Sequence, residues 1–349
     1  MKNPYRYLKT VLAASMAAAS LVLPLAHTTQ VEAQEAIKVG ILQYVEHDSL
    51  DAARNGFIDG LAEAGYVEGD NLTLNYLNAG ADNANLQSMA ETLGNGNDYV
   101  FAIATPAAQS VANAVTDIPV YFSAVTDPVD AGLVESLEAP GKNITGTIDA
   151  GPIKEQVDLL LSIEPEAEKI GIIYNSGETN SQGEANKAIE YLEELGKEVV
   201  LATVTSTNDI SQVMGTLVKE ADAIFTVTDN TIASAMPLVG DLAKEAGLAI
   251  VGGSKDMIVE NGLATYGLDY YELGKQTAQM LVKQIEEGLD TAAIPVESAA
   301  VLELVVNEDY AEAIGIDQAS IQAPASSNEE NNNEESTADQ TSEEDESAE

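Results

Sequence analysis

The chain has no cysteine and no tryptophan among its 349 residues, and its basic residues are few. Without cysteine it can form neither a disulfide nor a thiolate that acts as nucleophile or metal ligand. Its 15 Lys and Arg stand against 58 Asp and Glu, a formal net charge of -43. Nucleic-acid binding needs clustered Lys and Arg to neutralise phosphates, so this composition excludes a nucleic-acid partner.

Motifs for catalysis and cofactor binding are also missing. Beyond residue 33 the sequence has one histidine, His47, and one arginine, Arg54. A lone histidine indicates catalysis only when a nucleophile and an orienting acid accompany it, and there is no Gly-x-Ser-x-Gly motif. Glycine patterns for phosphates or dinucleotides and His-rich metal spacings are absent too. We therefore expect a protein that is not an enzyme and uses no cofactor and no metal.

Residues 1–33 have the pattern of a signal peptide. Three basic residues lie near the start, an apolar stretch runs from Val11 to Ala26, and Val31-Glu32-Ala33 supplies small residues for cleavage. The apolar stretch is short for a membrane-spanning helix, which needs about 20 residues, but an uncleaved N-terminal anchor stays an alternative. Both interpretations predict export.

The other end, residues 323–349, contains ten Asp or Glu and no Lys or Arg. The rest of this segment is mostly small and polar, which predicts a disordered acidic tail. Residues 34–322 keep 47 acidic and 12 basic side chains, a charge of about -35. The acidity is therefore a property of the folded body as well.

Between these ends, short β-branched runs alternate with longer amphipathic stretches. Such alternation is typical of βα units around mainly parallel sheets. Eleven candidate strands are too many for one small sheet, so an α/β fold with two sheets is favoured. The candidates are Ile37–Leu42, Leu72–Asn78, Tyr99–Ala104, Val120–Val125, Ile144–Asp149, Lys169–Tyr174, Glu198–Val204, Ala223–Thr228, Ala249–Gly253, Ala264–Leu268 and Leu302–Val306.

Helix signals between these strands support the interpretation. One helix should begin near Ser49 and end before Gly65, a residue typical of helix ends. Another should begin at Thr105-Pro106, because Thr can cap a helix and Pro fits its first turn. The first helix has apolar residues at three- and four-residue steps, which share one buried face: Leu50, Ala53, Phe57, Leu61 and Ala64.

The loops after the strands are the expected place for a ligand. In an open α/β sheet, ligands bind beyond the carboxyl ends of the strands, where helix N-termini present unpaired N–H groups. These loops are mostly rich in uncharged donors or Asp, which predicts a pocket for a small molecule with a polar head. They are Gln43–Ser49, Thr105–Gln109, Ser123–Asp130, Tyr174–Gly183, Asp229–Ser234 and Ser254–Met257.

Five segments carry a resemblance that spans most of the body, from about Ile37 to Ile316. In their order and spacing they resemble the ABC-transporter substrate-binding proteins of the tryptophan/tyrosine type. The resemblance implies a type 1 periplasmic-binding-protein fold: two Rossmann-like α/β lobes, joined by a three-segment hinge, that close on a ligand. The segments are KVGILQYVEHDSLDAARNGFIDGLAEAGY, TPAAQSVANAV, AVTDPVDAGLV, VTDNTIASAMPLV and GSKDMIVENGLATYGLDYYELGKQTAQM.

The resemblance also implies a division of the chain and a partner. The ligand would be an amino acid, aromatic in the known members, that is delivered to an ABC-transporter permease. Hinges are expected near Asp149, Leu263 and Thr291. The implied lobes are 36–148 plus 263–288 for the N-terminal lobe and 149–262 plus 289–320 for the C-terminal lobe.

The missing cysteine bears on localisation. Exported binding proteins of cells without an outer membrane usually carry a lipobox cysteine, and this chain has none. We expect a monomer that is either soluble in the periplasm or held at the cell surface, outside the cell, by an uncleaved signal or a partner.

Other ligands and roles on the same fold stay open. A sugar or a branched-chain amino acid could replace the aromatic one, and a stand-alone extracellular sensor would have the same body. A lactose-repressor-like regulator is excluded, because its N-terminal helix-turn-helix is replaced here by an export signal.

The carboxylate of an amino-acid ligand is expected at the helix that Pro106 begins. With Arg54 inside the first helix, backbone donors and hydroxyls must hold this group. The hypothesis uses the N–H groups of Thr105, Ala107 and Ala108 and the hydroxyls of Thr105 and Ser123. The alternatives are a plain N-cap for Thr105 and a satisfied strand-end hydroxyl for Ser123.

The ammonium group is expected at Asp229, which follows a strand of the second lobe. Its alternative role is to cap the helix that starts near Thr231. The ligand side chain is expected against the first strand-to-helix loop, where His47 would hydrogen-bond or stack on a ring or else cap locally. Further candidates from the matching loops are Gln43, Tyr44, Leu50, Thr126, Tyr174, Asn175, Ser181, Asn230 and Ser254.

Overall fold

The computed structural model describes residues 35–324. The expected signal peptide and nearly all of the expected acidic tail lie outside the described residues. Within residues 35–324, none of the helices combines the length and the apolar character that crossing a membrane requires.

Two six-stranded sheets, each with its own apolar core, divide the described chain into two lobes. The first lobe also has a short 3-10 helix, Thr291–Ala293. Its other elements are β1 Ile37–Gln43, α1 Asp48–Glu63, β2 Leu72–Asn78, α2 Asn83–Leu93, β3 Tyr99–Ile103, α3 Thr105–Ala114, β4 Val120–Val125, β5 Ile144–Ile148, α10 Tyr270–Glu287 and β11 Glu297–Ser298.

The second lobe is built in the same way, with 3-10 helices at Thr207–Asp209 and Gln318–Ser320. Its other elements are α4 Ile153–Ile163, β6 Lys169–Asn175, α5 Thr179–Glu194, β7 Glu198–Val204, α6 Ile210–Leu217, β8 Ala223–Thr226, α7 Asn230–Ala233, α8 Met236–Ala246, β9 Ile250–Gly252, α9 Lys255–Asn261, β10 Ala264–Gly267, β12 Glu303–Val306 and α11 Glu308–Ile314.

Both sheets have the same strand order. It is β11-β5-β4-β3-β1-β2 in the first lobe and β12-β10-β9-β8-β6-β7 in the second. Among these strands all pairs are parallel except β10 with β12. The order reverses between β1 and β3 and between β6 and β8, and such switch points are where open α/β sheets bind ligands. The predicted fold class is confirmed.

Close packing of α1 on α10 holds the first lobe together. The apolar face of α1 is buried as predicted, and Phe57 stacks on Phe101 of β3 with ring centroids 3.9 Å apart. Glycines let the two helices approach, because a Cβ on Gly274 would overlap the carbonyl of Ala53. This contact assigns α10 to the first lobe.

The predicted strands are all present, with ends that differ by at most two residues. The two-residue strand β11 was not predicted, since it is too short and polar to form an apolar run. The expected cap of α3 was wrong. Ala104 precedes the helix with a positive φ of 82°, and Thr105 is its first residue and makes no capping bond. The chain therefore leaves β3 through a left-handed residue.

Two of the expected lobe boundaries differ from the sheet pairings. The sequence placed residues from 263 in the first lobe, but β10 pairs with β9 and β12 in the second sheet. It placed residues from 289 in the second lobe, but β11 pairs with β5 in the first sheet. An apolar run predicts a strand without specifying its sheet. The segments that cross between the lobes are 149–152, 268–269 and 299–302.

Candidate binding site

A small cavity lies between the lobes, at the carboxyl ends of both sheets. Its volume of about 10 Å³ is enough for roughly one water molecule. The lobes must therefore separate, or side chains rotate, to admit anything larger. The lining residues are His47, Ser49, Leu50, Ala124, Asp149, Asn180, Thr228, Asp229, Asn230, Ala233, Ser254, Met257 and Tyr270.

The first-lobe wall is the start of α1. His47 precedes this helix in an extended conformation and makes no side-chain cap, so its ring reaches across to the second lobe. There Nε2 lies 3.2 Å from Oδ1 of Asn230. Since an amide oxygen only accepts, the histidine donates. Burial lowers the pKa of His47 and favours the neutral ring, which makes this contact when its proton is on Nε2.

A second hydrogen bond joins the lobes beside the first. The hydroxyls of Ser49 and Ser254 are 2.9 Å apart, and both residues are buried. Ser254 is held at the start of α9, where its Oγ accepts from the N–H of Met257. The two contacts across the cleft describe a closed arrangement of the lobes.

Asp229 forms part of the second-lobe wall and begins α7. Its Oδ1 accepts from the N–H of Ile232 at 2.8 Å, and its Oδ2 accepts from the N–H of Asn175 at 2.6 Å. The helix-capping role foreseen as the alternative is therefore present, and the same residue also lines the cavity. Burial raises the pKa of Asp229.

Glu178 supports the same helix start, although the sequence analysis did not single it out. Its Oε2 accepts from the backbone and side-chain nitrogens of Asn230 at 3.2 and 2.6 Å, and its Oε1 accepts from the N–H and hydroxyl of Thr231. These bonds hold Asn230 toward His47. Burial, and next the charge of Asp229, raise the pKa of Glu178. The only sequence signal was its position in the loop after β6.

The crossing segments contribute the remaining wall. The hydroxyl of Tyr270 donates to Oδ2 of Asp149 at 2.6 Å, and the hydroxyl of Thr126 donates to Oδ1 at 2.9 Å. Burial raises the pKa of Asp149. Asp149 was expected as a hinge residue and not as a ligand residue, and Tyr270 was not predicted for the site, because their contact joins two distant segments of the chain.

The charge of this site is negative. The cavity lining includes the carboxylates of Asp149 and Asp229 and neither Lys nor Arg. Arg54 is engaged elsewhere, where Nη1 donates to Gln43 at 2.6 Å, to Asp51 at 2.9 Å and to Tyr76 at 2.8 Å. A ligand with a cationic group therefore fits the cleft best.

Thr105, the candidate for the ligand carboxylate, has a buried hydroxyl without a hydrogen-bond partner. It lies at the start of α3, beside the strand end that carries Ala124. Ser123 is different, because its hydroxyl accepts from Thr147 at 3.1 Å. The satisfied strand-end hydroxyl that was the alternative for Ser123 is therefore present.

The predicted site residues separate into three groups. Five line the cavity: His47, Leu50, Asp229, Asn230 and Ser254. Four others contact or lie near lining residues. Thr126 donates to Asp149 at 2.9 Å, the N–H of Asn175 donates to Asp229 at 2.6 Å, and Ser181 donates to the carbonyl of Thr228 at 3.1 Å. The pKa of Tyr44 is raised by burial and then by the charges of Glu178 and Asp229. The others are buried away from the cavity as it stands: Gln43, Thr105, Ala107, Ala108, Ser123 and Tyr174.

Comparison with known proteins decides the family. The family described as ABC transporter substrate binding protein matches residues 38–326. The chain belongs to this family. The predicted resemblance is confirmed, and the family is one of binding proteins rather than enzymes.

Three relatives show how close the match is. A tyrosine-binding protein of Clostridioides difficile is 38% identical over 283 residues, 81% of this chain and 82% of the relative. An ABC domain of Streptococcus pneumoniae, solved in complex with L-Trp, is 36% identical, with a TM-score of 0.78 over 84% of this chain and 99% of the other. A ligand-free, open substrate-binding protein with adhesive properties from Clostridium difficile is also 36% identical, with a TM-score of 0.64 over 83% and 98%.

The two solved relatives are equally similar in sequence but not in structure. This substrate-binding protein matches the L-Trp complex more closely than the open form. The difference agrees with the two hydrogen bonds that join its lobes.

Proposed function

We propose that this substrate-binding protein captures an aromatic amino acid, tryptophan, tyrosine or phenylalanine, between its lobes and delivers it to an ABC-transporter permease. One observation carries the proposal: the cavity lies at the switch points of both sheets, and its charged residues are carboxylates. Two relatives, one a tyrosine-binding protein and one solved with L-Trp, support the ligand class.

The ammonium group of the ligand binds beside Asp229 in this proposal. Asp229 and Glu178 form a buried pair of acids with no basic side chain bonded to either. Burial raises the pKa of both acids, and a cationic ligand group would stabilise their ionised form, which is a gain in a site removed from water. The bonds to Asn175 and Ile232 hold the carboxylate in place without using all of its lone pairs.

The carboxylate group of the ligand binds at the start of α3. The hydroxyl of Thr105 has no partner, and the N–H groups at this helix start favour an anion. The ammonium and carboxylate groups of an α-amino acid are attached to the same carbon, so the bound state needs Asp229 and the start of α3 within reach of that carbon, in a cleft wider than the present cavity.

The side chain of the ligand packs against the apolar part of the cavity wall. Leu50, Met257 and Ala233 supply apolar surface, and His47 supplies a ring that can stack or hydrogen-bond. The protein acts in this proposal as a carrier without catalysis, because His47, the one histidine within residues 35–324, is bonded to the amide of Asn230 and not to a nucleophile.

We further propose that the chain is exported and works as a monomer. Export rests on the basic and apolar pattern of residues 1–33. Capture outside the cytoplasm and hand-over to a permease fit a member of the ABC transporter substrate binding proteins.

A binding titration tests this function. Because the protein has no tryptophan, the emission of added L-tryptophan can be followed directly, and tyrosine, phenylalanine, leucine and a sugar can be ranked by competition and calorimetry. We expect at least one aromatic amino acid to bind with a dissociation constant well below about 100 µM. If none of the three aromatic amino acids binds while leucine or a sugar does, the ligand belongs to the class of the compound that binds.

A further inference from the structure

Two successive residues at the start of α9, Ser254 and Lys255, make bonds that leave the body of the second lobe. The hydroxyl of Ser254 contacts that of Ser49 on α1 at 2.9 Å. Nζ of Lys255 donates to Oδ2 of Asp269, in the second crossing segment, at 2.9 Å. It also donates to Oε1 of Glu303, directly after the third crossing segment, at 2.6 Å. The start of α9 is therefore bonded both across the cleft and at two of the three crossings.

Asp269 connects the lysine to the first lobe, because the same residue begins α10. Its Oδ1 accepts from the N–H groups of Tyr271 and Glu272 at 2.9 and 3.2 Å, which leaves Oδ2 for Lys255. Helix α10 in turn packs closely on α1, where Gly274 meets the backbone of that helix. The ion pair of Lys255 with Asp269 therefore joins α9 of the second lobe to the packed pair α1 and α10 of the first.

Lys255 also separates two acids. Hydrogen bonds to Glu303 and then to Asp269 raise the pKa of Lys255, so the side chain is charged at neutral pH. Within residues 35–324 neither acid has an ion pair with another basic residue. An exposed ion pair alone contributes little, but this lysine is 30% exposed and also offsets the repulsion between two carboxylates. Its removal would leave both acids facing each other at the junction of the lobes.

We propose that Lys255 is a positioning residue for ligand capture: by binding Asp269 and Glu303 it stabilises the closed arrangement of the lobes and so slows release of the ligand. Lys255 lies outside the lining of the cleft cavity, whereas its neighbour Ser254 and Tyr270, which follows Asp269, belong to that lining. It acts through the wall of the cleft and not by touching the ligand. The inference rests on the proposed function only for the amino acid that serves as a probe.

Release of L-tryptophan from the full chain tests this role. Because the protein has no tryptophan, the emission of the ligand reports binding and release in stopped-flow measurements. In Lys255→Met we expect a dissociation rate constant about three- to tenfold higher, because the closed form opens more readily. The association rate constant should change by less than about twofold, since association starts from the open form. Lys255→Arg, which keeps the charge, should recover most of the slow release.

Lys275→Met is the matched control. Lys275 lies in the same surface groove as Lys255, and its Nζ bonds to Oε1 of Glu63 at 2.8 Å. This pair joins α10 to α1 within the first lobe, so the variant removes the same charge and an ion pair without affecting the contact between the lobes. Its dissociation rate constant should equal that of the wild type.

The inference is overturned if Lys255→Met releases L-tryptophan as slowly as the wild type, or if Lys275→Met releases it as fast as Lys255→Met. If the wild type does not bind L-tryptophan, the choice of ligand is wrong, and a measurement without ligand decides. The chain has no cysteine, so Ser88→Cys on α2 and Ser211→Cys on α6, both exposed, can carry one spin label in each lobe. A longer mean distance between the labels in Lys255→Met than in Lys275→Met supports the role, and equal distances reject it.

Discussion

Asp229 illustrates how one side chain can serve structure and binding together. Its two oxygens accept from backbone N–H groups at the end of β6 and inside α7, and the residue still lines the cleft. Asn has a single acceptor oxygen, so in place of Asp229 it keeps the helix cap and loses the other of these two bonds.

We predict that Asp229→Asn weakens binding of the preferred aromatic amino acid at least about tenfold, because the charged partner of the ammonium group is lost. The unfolding temperature should also fall, because the NH₂ group of Asn then faces one of the two buried N–H donors. Asp222→Asn removes the same charge outside the cleft lining and controls for that loss in the affinity measurement. Both N–H donors of Asp222 bond to Oδ2, so Asn can keep both bonds there and stability is not compared between the two variants. Calorimetry that finds equal affinities for both variants rejects the role of Asp229.

The unpartnered hydroxyl of Thr105 gives a second prediction at this scale. Thr105→Val keeps the shape and removes a group that contributes nothing to folding, so stability should stay level or rise. Affinity for the amino acid should fall about tenfold, because a hydrogen bond to a charged group is lost.

A contrasting variant controls for the loss of a threonine hydroxyl. Thr145→Val breaks a bond of 2.8 Å to the carbonyl of Ile294, which should lower stability by about 1 kcal/mol and leave affinity unchanged. Parallel melts and titrations compare the two. Unchanged affinity in Thr105→Val would show that the ligand carboxylate does not bind at the start of α3.

At the scale of elements, the glycines between α1 and α10 set how closely these helices pack. Gly274→Ala would drive a methyl group into the carbonyl of Ala53, so we expect a loss of at least about 1 to 3 kcal/mol. Gly215→Ala, within α6 and facing open space, should instead add about 0.5 to 1 kcal/mol. Denaturant melts check both, and a stabilised Gly274→Ala protein would show that the helices are less closely packed than described.

Elements were largely predictable from the sequence, and their assembly was not. Apolar runs located the eleven strands, and the three- and four-residue spacing located the buried face of α1. Sheet membership of β10 depends on pairings between distant segments, which no local pattern encodes. For this reason the second crossing was misplaced.

The same was true of the binding site: single residues in loops were predictable from the sequence, and contacts between separate loops were not. Loops after strands predicted His47, Asp229 and Ser254, which line the cavity. Tyr270 and Glu178 were missed, because their contacts with Asp149 and Asn230 join residues from separate loops. A buried acid in a polar loop is indistinguishable from a solvated one until the fold is known.

At the scale of the whole molecule, buried acids link stability to pH. Burial raises the pKa of Glu184 to about 7 and also raises those of Glu178, Asp229 and Asp149. A raised pKa means that the folded state binds protons more tightly than the unfolded one. The stabilisation is thus complete below the ordinary carboxyl range and is lost as pH rises through 7.

We therefore predict that the free energy of unfolding without amino acid falls by about 1 to 3 kcal/mol between pH 5.5 and 8. The lowered pKa of His47 acts in the opposite direction below about pH 6.5 and makes the fall smaller there. Glu184→Gln should flatten part of this slope. Denaturant titrations across this range give the measurement, and a stability that rises with pH would mean that these acids are ionised without cost.

Function depends on the cleft between the lobes, where we propose that an aromatic amino acid binds. A structure from crystals grown with L-tryptophan or L-tyrosine tests this binding most directly. The account predicts ligand density between the lobes, with the ammonium group within about 3 Å of Asp229 and the carboxylate at Thr105. Density only outside the cleft, or a ligand in the cleft with its ammonium group turned away from Asp229, would contradict it.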